Sequence, residues 1–363
     1  MSLACGPARA AASDPRVNHL SGQHVFITGG AGFIGCNAAD HFLGRGDAVT
    51  LYDNLTRRGG RANLDWLHAT YGGERLAVVE ADIRDYDRLA SAVAERPPDV
   101  VLHLAGQVAV TQSVADPRED FESNALGTFN VLEAVRHGAP GAALLYASTN
   151  KVYGGMEHVG IVPAGERYAY ADYPHGIPET FPLDFHSPYG CSKGAGDQYM
   201  RDYARIYGLR TLVLRQSCIY GRRQFGVEDQ GWVAHFVIAT VLDRPIAIYG
   251  DGRQVRDVLY IDDLLDAYQR GIDHIDDLRG EVLNLGGGPD NTLSIWTEFG
   301  SLLAELAGRP VPVRYGPWRP GDQRVFVADI RQAKALLGWQ PRVSPAEGVR
   351  RLYEWVAANR ELF

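Results

Sequence analysis

Cysteine is scarce in this sequence: Cys5, Cys36, Cys191 and Cys218 lie far apart among 363 residues. No Cys-x-x-Cys pair occurs, so the pattern predicts neither a disulfide framework nor a metal site, and it is typical of a reducing cytoplasm. Long apolar runs are also missing. None reaches the ~20 residues that a membrane-spanning helix needs, so we expect no membrane partner.

Positive charge is in short supply as well, with 36 Lys and Arg against 44 Asp and Glu and a net charge of −8. This balance argues against nucleic acid or an anionic membrane as a partner. Residues 1–20 are rich in Ala, Pro, Arg and Asp and lack the apolar stretch of a signal peptide, so we predict a disordered N-terminal arm. The remaining length suits one large domain or two.

A glycine-rich turn follows the first apolar run of the chain. Residues 24–28 are β-branched and aromatic and predict a buried strand, and a helical pattern runs on through Leu43. Between them stand Gly29, Gly32 and Gly35. Such a turn lets a pyrophosphate approach the helix N-terminus, although the glycines alone also fit a plain tight turn.

A second predicted strand, residues 48–52, ends in Asp53. An acid about 20 residues beyond such a turn binds the ribose hydroxyls of NAD and repels a 2′-phosphate. The pattern therefore favours NAD over NADP, although Arg57 and Arg58 follow closely. A third strand, residues 76–80, precedes Asp82, which either accepts from the adenine amino group or caps a helix.

Strand and helix patterns keep alternating after Asp82. Residues 100–104 and 142–147 predict strands, and residues 118–137 predict a long helix that contains Asn124. Asn124 is either a buried hydrogen-bonding residue near the site or a solvated one. The alternation predicts an α/β protein with a Rossmann-type, doubly wound parallel sheet, in which ligands bind at the carboxyl ends of the strands.

Tyr189 and Lys193 are four residues apart at the start of another predicted helix. They would share one helix face, and a neighbouring ammonium lowers the pKa of a phenol, which makes it a general base for a hydroxyl. The spacing alone is common in surface helices. Thr149 follows the fifth strand, so its hydroxyl is expected to hydrogen-bond the substrate oxygen that Tyr189 deprotonates.

The second half of the chain is less regular. Residues 155–186 lose periodicity and predict a loop over the substrate. We predict a cofactor domain at 21–220, with 255–270 returning to it, and a smaller α+β C-terminal substrate domain at 221–363. Arg256 and Arg319 either clamp the phosphates of a nucleotide or form surface ion pairs.

The glycine turn, Asp53, Thr149 and the Tyr189–Lys193 pair together resemble the extended short-chain dehydrogenase/reductase family, which acts on nucleotide sugars. The resemblance covers residues 22 to about 360. Four stretches are similar to a narrower branch that inverts carbon 2 of a CDP-linked deoxyhexose: 148–154, 183–194, 223–232 and 322–329.

The resemblance implies roles for particular residues, an NAD cofactor, a nucleotide-sugar substrate and a homodimer formed through helix 118–137 and the helix at Tyr189. The implied catalytic residues are Thr149, Tyr189 and Lys193. The cofactor contacts are Gly29, Gly32, Phe33, Ile34, Gly35, Asp53, Asn54, Asp82, Ile83, Leu104, Ala105, Gln107, Asn124, Ser148, Tyr189 and Lys193. The substrate contacts are Thr149, Asn150, Gln230, Trp232, Arg256, Arg319 and Asp322.

Three other functions compete with a 2-epimerase. Dehydratases of the family carry an Asp–Glu pair directly after the threonine, and here Asn150 and Lys151 stand in those positions. A 4-epimerase of a UDP-linked or other nucleotide sugar needs the same three groups and stays open. A non-catalytic dinucleotide sensor would not need to keep Thr149, Tyr189 and Lys193 together.

Overall fold

Strands and helices alternate through most of the chain in a computed structural model that describes residues 22–318 and 323–363. The strands are β1 (His24–Thr28), β2 (Ala48–Asp53), β3 (Leu76–Glu80), β4 (Val100–His103), β5 (Ala143–Thr149), β6 (Ile161–Ala164), β7 (Arg167–Tyr170), β8 (Arg210–Gln216), β9 (Cys218–Tyr220), β10 (Ile246–Tyr249), β11 (Val255–Tyr260), β12 (Glu281–Leu285), β13 (Thr292–Ser294), β14 (Val313–Gly316) and β15 (Val325–Phe326). The α-helices are α1 (Phe33–Arg45), α2 (Gly60–Tyr71), α3 (Tyr86–Glu95), α4 (Val110–Ala115), α5 (Pro117–Phe121), α6 (Gly127–Gly138), α7 (Ser187–Tyr207), α8 (Trp232–Val241), α9 (Ile261–Asp273), α10 (Phe299–Ala307), α11 (Arg331–Leu337) and α12 (Pro345–Ala358).

The largest sheet is parallel throughout, in the order β12–β8–β5–β4–β1–β2–β3. The chain enters at β1, winds outward to β3 and then crosses back to β4 on the other side of β1. At such a reversal the carboxyl ends of the two neighbouring strands open a crevice in which ligands bind. This topology confirms the predicted Rossmann-type fold.

Helices cover both faces of this sheet, which is why its strands read as continuous apolar runs. Within β1, Val25 and Ile27 point into one core and Phe26 points into the other. Side chains from α1, α2 and α9 pack in the first core, and those from α3, α6 and α7 pack in the second. The sheet therefore gives the crevice a rigid floor.

A smaller part is built around β11, which pairs with β9, β13 and β15, beside a separate β10–β14 pair. The sequence prediction returned 255–270 to the cofactor domain; within this range, β11 pairs in the small sheet. The return is made by α9, which packs in the first core, and by β12, which pairs with β8. The division at residue 220 stays a prediction.

The sequence predicted a loop over the whole of 155–186, but part of this segment forms strands. It contains the antiparallel hairpin of β6 and β7, with Ile161 opposite Tyr170. The hairpin is attached to the small sheet, because the Tyr170 hydroxyl donates to the Val325 carbonyl over 3.0 Å. Strands of four residues are too short to show a clear alternation in the sequence.

The long helix predicted at 118–137 is a continuous helical run of three pieces: α5, a π-helical turn at Glu122–Leu126, and α6. The π turn adds a residue to the helical cycle, a feature that often marks functional sites. Among the described residues, no helix is long and apolar enough to cross a membrane.

Candidate active site

The glycine turn after β1 is shaped by close backbone contacts. Gly29 has a φ of +71°, and a Cβ there would lie 2.7 Å from the Ala105 nitrogen. A Cβ at Gly35 would lie 2.2 Å from the Gly29 carbonyl oxygen. Helix α1 then starts after Gly32, and no side chain of the described residues caps it. The first turn, with Phe33 and Ile34, therefore presents backbone N–H groups suited to an anion.

Asp53 is buried at the carboxyl end of β2 and is bound to the glycine turn. Its Oδ2 accepts from the Ala31 nitrogen over 2.9 Å, and its Oδ1 accepts from the Leu55 nitrogen over 2.8 Å. The carboxylate thus lies directly beside the start of α1. This is the position from which an acid can accept hydrogen bonds from ribose hydroxyls.

Asp82 lies next to this acid and is strongly ionised. Burial alone would raise the pKa of Asp82, but hydrogen bonds from Arg84 and Asn54 lower it to about 2. The Asn54 amide donates to Asp82 over 2.9 Å. Helix α3 is capped by Asp85 rather than Asp82, so the alternative role of Asp82 as a helix cap is not found.

Thr149, Tyr189 and Lys193 come together at the crevice. Thr149 is the last residue of β5, and its side chain lies near the Tyr189 hydroxyl, whose pKa it lowers. Tyr189 and Lys193 follow each other by one turn at the start of α7, and all three side chains are buried. The Lys193 Nζ lies 4.2 Å from the centre of the Tyr146 ring. The predicted grouping of the three residues is therefore found.

The electrostatics of the pair differ from the sequence prediction. Burial raises the pKa of Tyr189 to about 12, and Thr149 opposes this only in part. Burial also lowers the pKa of Lys193 to about 7, against the nearby charges of Asp197 and Asp120. The prediction that Lys193 lowers the tyrosine pKa neglected the cost of burying both charged forms.

Asn124 lies in the π turn and is buried, so the first of its two alternatives is correct. Its amide nitrogen donates to the Gln107 carbonyl over 3.0 Å, to Asp120 over 3.1 Å and to the Ser192 hydroxyl over 3.2 Å. Ser192 stands between Tyr189 and Lys193 on α7. The π turn is thereby fixed against the helix that carries the pair.

The end of β4 lies against β1 and is held by buried polar groups. The Thr28 hydroxyl accepts from the nitrogens of Leu104 and Ala105 over 3.2 and 3.3 Å. It also contacts the Nδ1 of His103, whose pKa burial lowers to about 3, so the imidazole is neutral at physiological pH. Ala105 therefore lies directly under the glycine turn, where a dinucleotide would pass.

Comparison with known proteins places the chain in a family. Residues 25–286 match the model of the NAD dependent epimerase/dehydratase family. The chain belongs to this family. It is 43% identical over 339 residues to CDP-paratose 2-epimerase of Salmonella typhi, covering 92% of this chain and 99% of the relative.

Solved structures of epimerases share the fold. UDP-glucose 4-epimerase of Thermotoga maritima, solved with UDP-glucose, has a TM-score of 0.78 at 30% identity, covering 93% of this chain and 99% of that one. UDP-glucose 4-epimerase of Thermus thermophilus, solved with NAD, has a TM-score of 0.76 at 33% identity over the same shares.

NAD is the cofactor of this epimerase-family protein, and the residues at the crevice fit it. The uncapped start of α1 suits the pyrophosphate, and the buried Asp53 suits a ribose without a 2′-phosphate. Gln107 donates to the Ala109 carbonyl and to Asp120, which fixes the loop after β4. Ile83 is buried, and its carbonyl accepts from Asn130 over 2.9 Å.

Ser148, another predicted cofactor contact, has its hydroxyl on the side of Asp197. Its hydroxyl donates to Asp197 over 2.8 Å, and Asp197 forms a bidentate ion pair with Arg215 at 2.9 and 3.0 Å. This pair is fully buried beneath β5 and α7. Ser148 thus anchors the floor of the site.

The predicted substrate contacts lie on several different elements and stay a prediction. Asn150 follows Thr149 and is half-buried, Gln230 accepts from Arg57, and Arg256 is buried on β11 beside the Val255 carbonyl. Trp232 packs its ring against Phe236 and Phe299, with its indole N–H on the Cys218 sulfur. Arg319 and Asp322 lie outside the described residues.

Sequence reasoning missed two charged residues at the site. Asp120 is fully buried beside Asn124, and Arg57 approaches both Asp53 and Tyr189. The spacing of Asp120 and Asn124, four apart on one helix, was the available signal. Arg57 had been considered only for its effect on cofactor choice, because the sequence did not show that its loop reaches the tyrosine.

Proposed function

We propose that this protein inverts carbon 2 of a CDP-linked deoxyhexose and converts CDP-paratose to CDP-tyvelose. The observation that carries the proposal is the 43% identity, over nearly the full length of both chains, to CDP-paratose 2-epimerase of Salmonella typhi. The buried grouping of Thr149, Tyr189 and Lys193 supports a reaction that removes a proton from a sugar hydroxyl.

Each residue of the group has one task in this reaction. Bound NAD supplies reversible acceptance of a hydride from the sugar carbon. Tyr189 as phenolate removes the proton of the C2 hydroxyl, and Thr149 bonds the same oxygen, which becomes a carbonyl. Lys193 as ammonium stabilises the phenolate. When the sugar presents its other face, the oxygen recovers its proton from Tyr189. Proton transfer of this kind contributes roughly 10²- to 10⁴-fold to a rate.

The two residues after Thr149 favour epimerisation over dehydration. Expulsion of water requires an acid that protonates the departing hydroxyl, and Asn150 and Lys151 stand where an acid pair would be needed. The Lys151 ammonium donates to the Gln323 side chain over 3.3 Å. The second candidate function is a 4-epimerase of a UDP-linked or other nucleotide sugar, because structures of UDP-glucose 4-epimerases share the fold.

The test is a reaction with CDP-paratose that carries deuterium at carbon 2. We expect inversion at C2, retention of the label in the product, and no uptake of deuterium when unlabelled substrate reacts in heavy water. Parallel reactions with UDP- and dTDP-linked sugars measure the preference for the CDP group. NMR of the products shows which carbon has changed.

Three results would contradict the proposal. Inversion at C4 with an unchanged C2 would make the protein a 4-epimerase. Uptake of solvent deuterium at C2 would indicate direct removal of a carbon-bound proton, which these residues do not explain. Binding of NAD without turnover of any sugar would favour the non-catalytic sensor.

We also infer that two copies of the chain associate as a homodimer. The supporting observation is a group of large apolar side chains exposed along α5, the π turn, α6 and α7: Phe121 at 58%, Leu126 and Phe129 at 39%, Tyr199 at 48% and Ile206 at 65%. Apolar patches of this kind mark protein–protein contacts. A partner copy of α5–α6 and α7 would form a four-helix bundle.

The cellular setting is a further proposal. The described cysteines Cys36, Cys191 and Cys218 are all free thiols, which supports a reducing cytoplasm. Residues 1–20 were predicted as a disordered arm and lie outside the described residues. We propose the same functional division as before, with the cofactor bound mainly by 21–220 and the sugar nucleotide mainly by 221–363.

A further inference from the structure

Asp120 is the second-last residue of α5, and none of its surface is exposed. An acid is seldom buried completely unless it is paired or fully hydrogen-bonded. It lies on the side of α5 that faces α7, where Ser192 separates Tyr189 from Lys193. Its neighbour in sequence, Phe121, is 58% exposed. The chain therefore places a charge inside and an apolar ring outside at this turn.

The hydrogen bonds around Asp120 are those of a carboxylate. The Ser192 hydroxyl donates to Oδ2 over 2.6 Å, and the amides of Gln107 and Asn124 donate to Oδ1, each over 3.1 Å. Three donors converge on two oxygens, and a protonated acid would need an acceptor for its own hydrogen. Burial raises the pKa of Asp120, and these three donors oppose the shift.

A second buried acid, Asp197, shows what a structural role looks like here. It is matched by Arg215 in a bidentate ion pair. Among the described residues, no basic side chain forms an ion pair with Asp120. The charge of Asp120 therefore acts on its surroundings, and Lys193 is the cation that lowers the pKa of Asp120.

Other charged and titratable groups also act on the pair. From α7, Asp197 raises the pKa of Lys193 more strongly than Asp120 does, although Asp197 is itself paired with Arg215. From β4, His103 is neutral, and from β5, burial raises the pKa of Tyr146 far above its ordinary value. Arg57, from the loop after β2, acts on Tyr189 in the opposite sense to Asp120. Asp120 favours the Lys193 ammonium and disfavours the Tyr189 phenolate.

We propose that Asp120 is a positioning residue for Tyr189 and Lys193: its buried carboxylate holds their turn of α7 through Ser192, and its charge shifts the pH range in which they work to higher pH. In a buried site an ammonium loses its proton readily, and an unpaired carboxylate nearby counteracts that loss. The same carboxylate holds Gln107 and Asn124, so one group links the cofactor loop, the π turn and α7.

The test is Asp120→Asn, which keeps the shape of the side chain and removes its charge. The activity readout rests on the proposed epimerisation. Loss of the negative charge makes both Tyr189 and Lys193 give up protons more easily. Both limbs of the bell-shaped dependence of kcat on pH should therefore move to lower pH by about one unit, a tenfold change in proton affinity. The direction holds whichever group each limb reports.

A second readout is independent of the substrate. The ultraviolet spectrum is recorded with and without Tyr189→Phe, once in the unchanged protein and once in Asp120→Asn. Each difference spectrum reports the ionisation of Tyr189 alone. We expect its pKa to be lower in Asp120→Asn than in the unchanged protein. If this shift occurs while no sugar nucleotide is turned over, the role of Asp120 stands and the proposed function fails.

Glu119→Gln is the matched control, because it removes one negative charge from the exposed neighbouring position on α5. It should leave both limbs and the spectrum in place. Limbs that stay fixed in Asp120→Asn while the rate falls would reduce Asp120 to a packing role and overturn the proposal. Equal shifts in Glu119→Gln would show an unspecific effect of net charge, and would overturn it too.

Ser192→Ala keeps the proposal testable if Asp120→Asn does not fold. This variant removes the 2.6 Å donor and keeps the carboxylate. We expect a lower rate, because the turn of α7 is held less firmly. Both limbs of the pH profile should remain within about half a pH unit of those of the unchanged protein. Limbs that move by a full unit without any change of charge would contradict the assignment.

Discussion

Helices α6 and α7 bury an apolar stripe in the second core, as surface helices usually do, but two further surfaces of α5, the π turn, α6 and α7 do not follow that pattern. The face toward the crevice buries polar and charged groups: Asp120, Asn124, Tyr189, Ser192 and Lys193. The opposite face exposes apolar ones: Phe121, Leu126, Phe129, Tyr199 and Ile206. A surface helix normally buries its apolar stripe and exposes its polar side. Neither the buried polar groups nor the exposed apolar groups stabilise a lone subunit.

The difference indicates that the two faces serve two purposes. Burying a charge without an ion partner costs free energy, and such groups gather at functional sites. Exposing large apolar rings costs free energy as well, unless another surface covers them. The inner face therefore gives up stability for chemistry, and the outer face is available for a second copy of the chain.

Tyr189→Phe should break the chemistry of the inner face with the largest effect. The variant loses the group that accepts the proton, so we expect kcat to fall by roughly 10²- to 10⁴-fold while NAD binding persists. Tyr199→Phe, on the outer face of the same helix, is the control and should turn over normally. Turnover of Tyr189→Phe at the original rate would remove Tyr189 from the mechanism.

The inner face could be predicted from the sequence where its signals are local. The spacing of Tyr189 and Lys193, and the position of Thr149 at a strand end, depend only on the period of a helix and the direction of a strand. For Asp120 the only local signal was its spacing of four residues from Asn124, which does not show that the side chain is buried. Its burial depends on how α5 packs against α7, and that packing is determined by residues far away in the chain.

The direction of the tyrosine pKa shift was wrong for the same reason. Sequence spacing gives the distance between two charges, but desolvation depends on everything else that surrounds them. The predicted strand at 24–28 and the glycine turn were found because parallel strands buried on both faces have a continuous apolar pattern. The small sheet around β11 was harder to predict from the sequence, since its strands are short and its neighbouring strands are not consecutive in the chain.

Phe121→Glu combined with Leu126→Glu should break the outer face. Charges in the middle of an apolar contact are strongly unfavourable, and a single central residue can contribute about 2 kcal/mol or more to an interface. We expect the dissociation constant of the dimer to rise by about 10²-fold, measured by analytical ultracentrifugation.

Leu336→Glu on α11 is the control for this change, because Leu336 is also exposed, at 44%, and lies away from the helix pair. It should leave the mass unchanged. An unaltered dimer in the double variant would mean that the outer face is not the contact. If the protein without substitutions is monomeric at micromolar concentration, the proposed homodimer is contradicted.

Lys193→Met tests the free-energy cost of burying the Lys193 ammonium, and it should change the stability of the fold only modestly. Burial lowers the pKa of Lys193 to about 7, from 10.5. Below pH 7 the ammonium is buried at full cost. Between pH 7 and 10.5 the folded state releases the proton and the unfolded chain keeps it, so the unfolded state binds more protons and stability rises with pH. The methionine variant has no such group.

We therefore expect Lys193→Met to be inactive yet more stable near pH 6, by on the order of 1–3 kcal/mol, with the difference shrinking toward pH 9. Urea unfolding at pH 6, 7, 8 and 9 measures it, and titrations elsewhere in the chain cancel between the two proteins. Asp120 loses the favourable charge of Lys193 in the variant, which offsets part of the gain. If the difference in the free energy of unfolding is constant with pH, Lys193 affects stability through packing, and burial of its charge does not destabilise the fold.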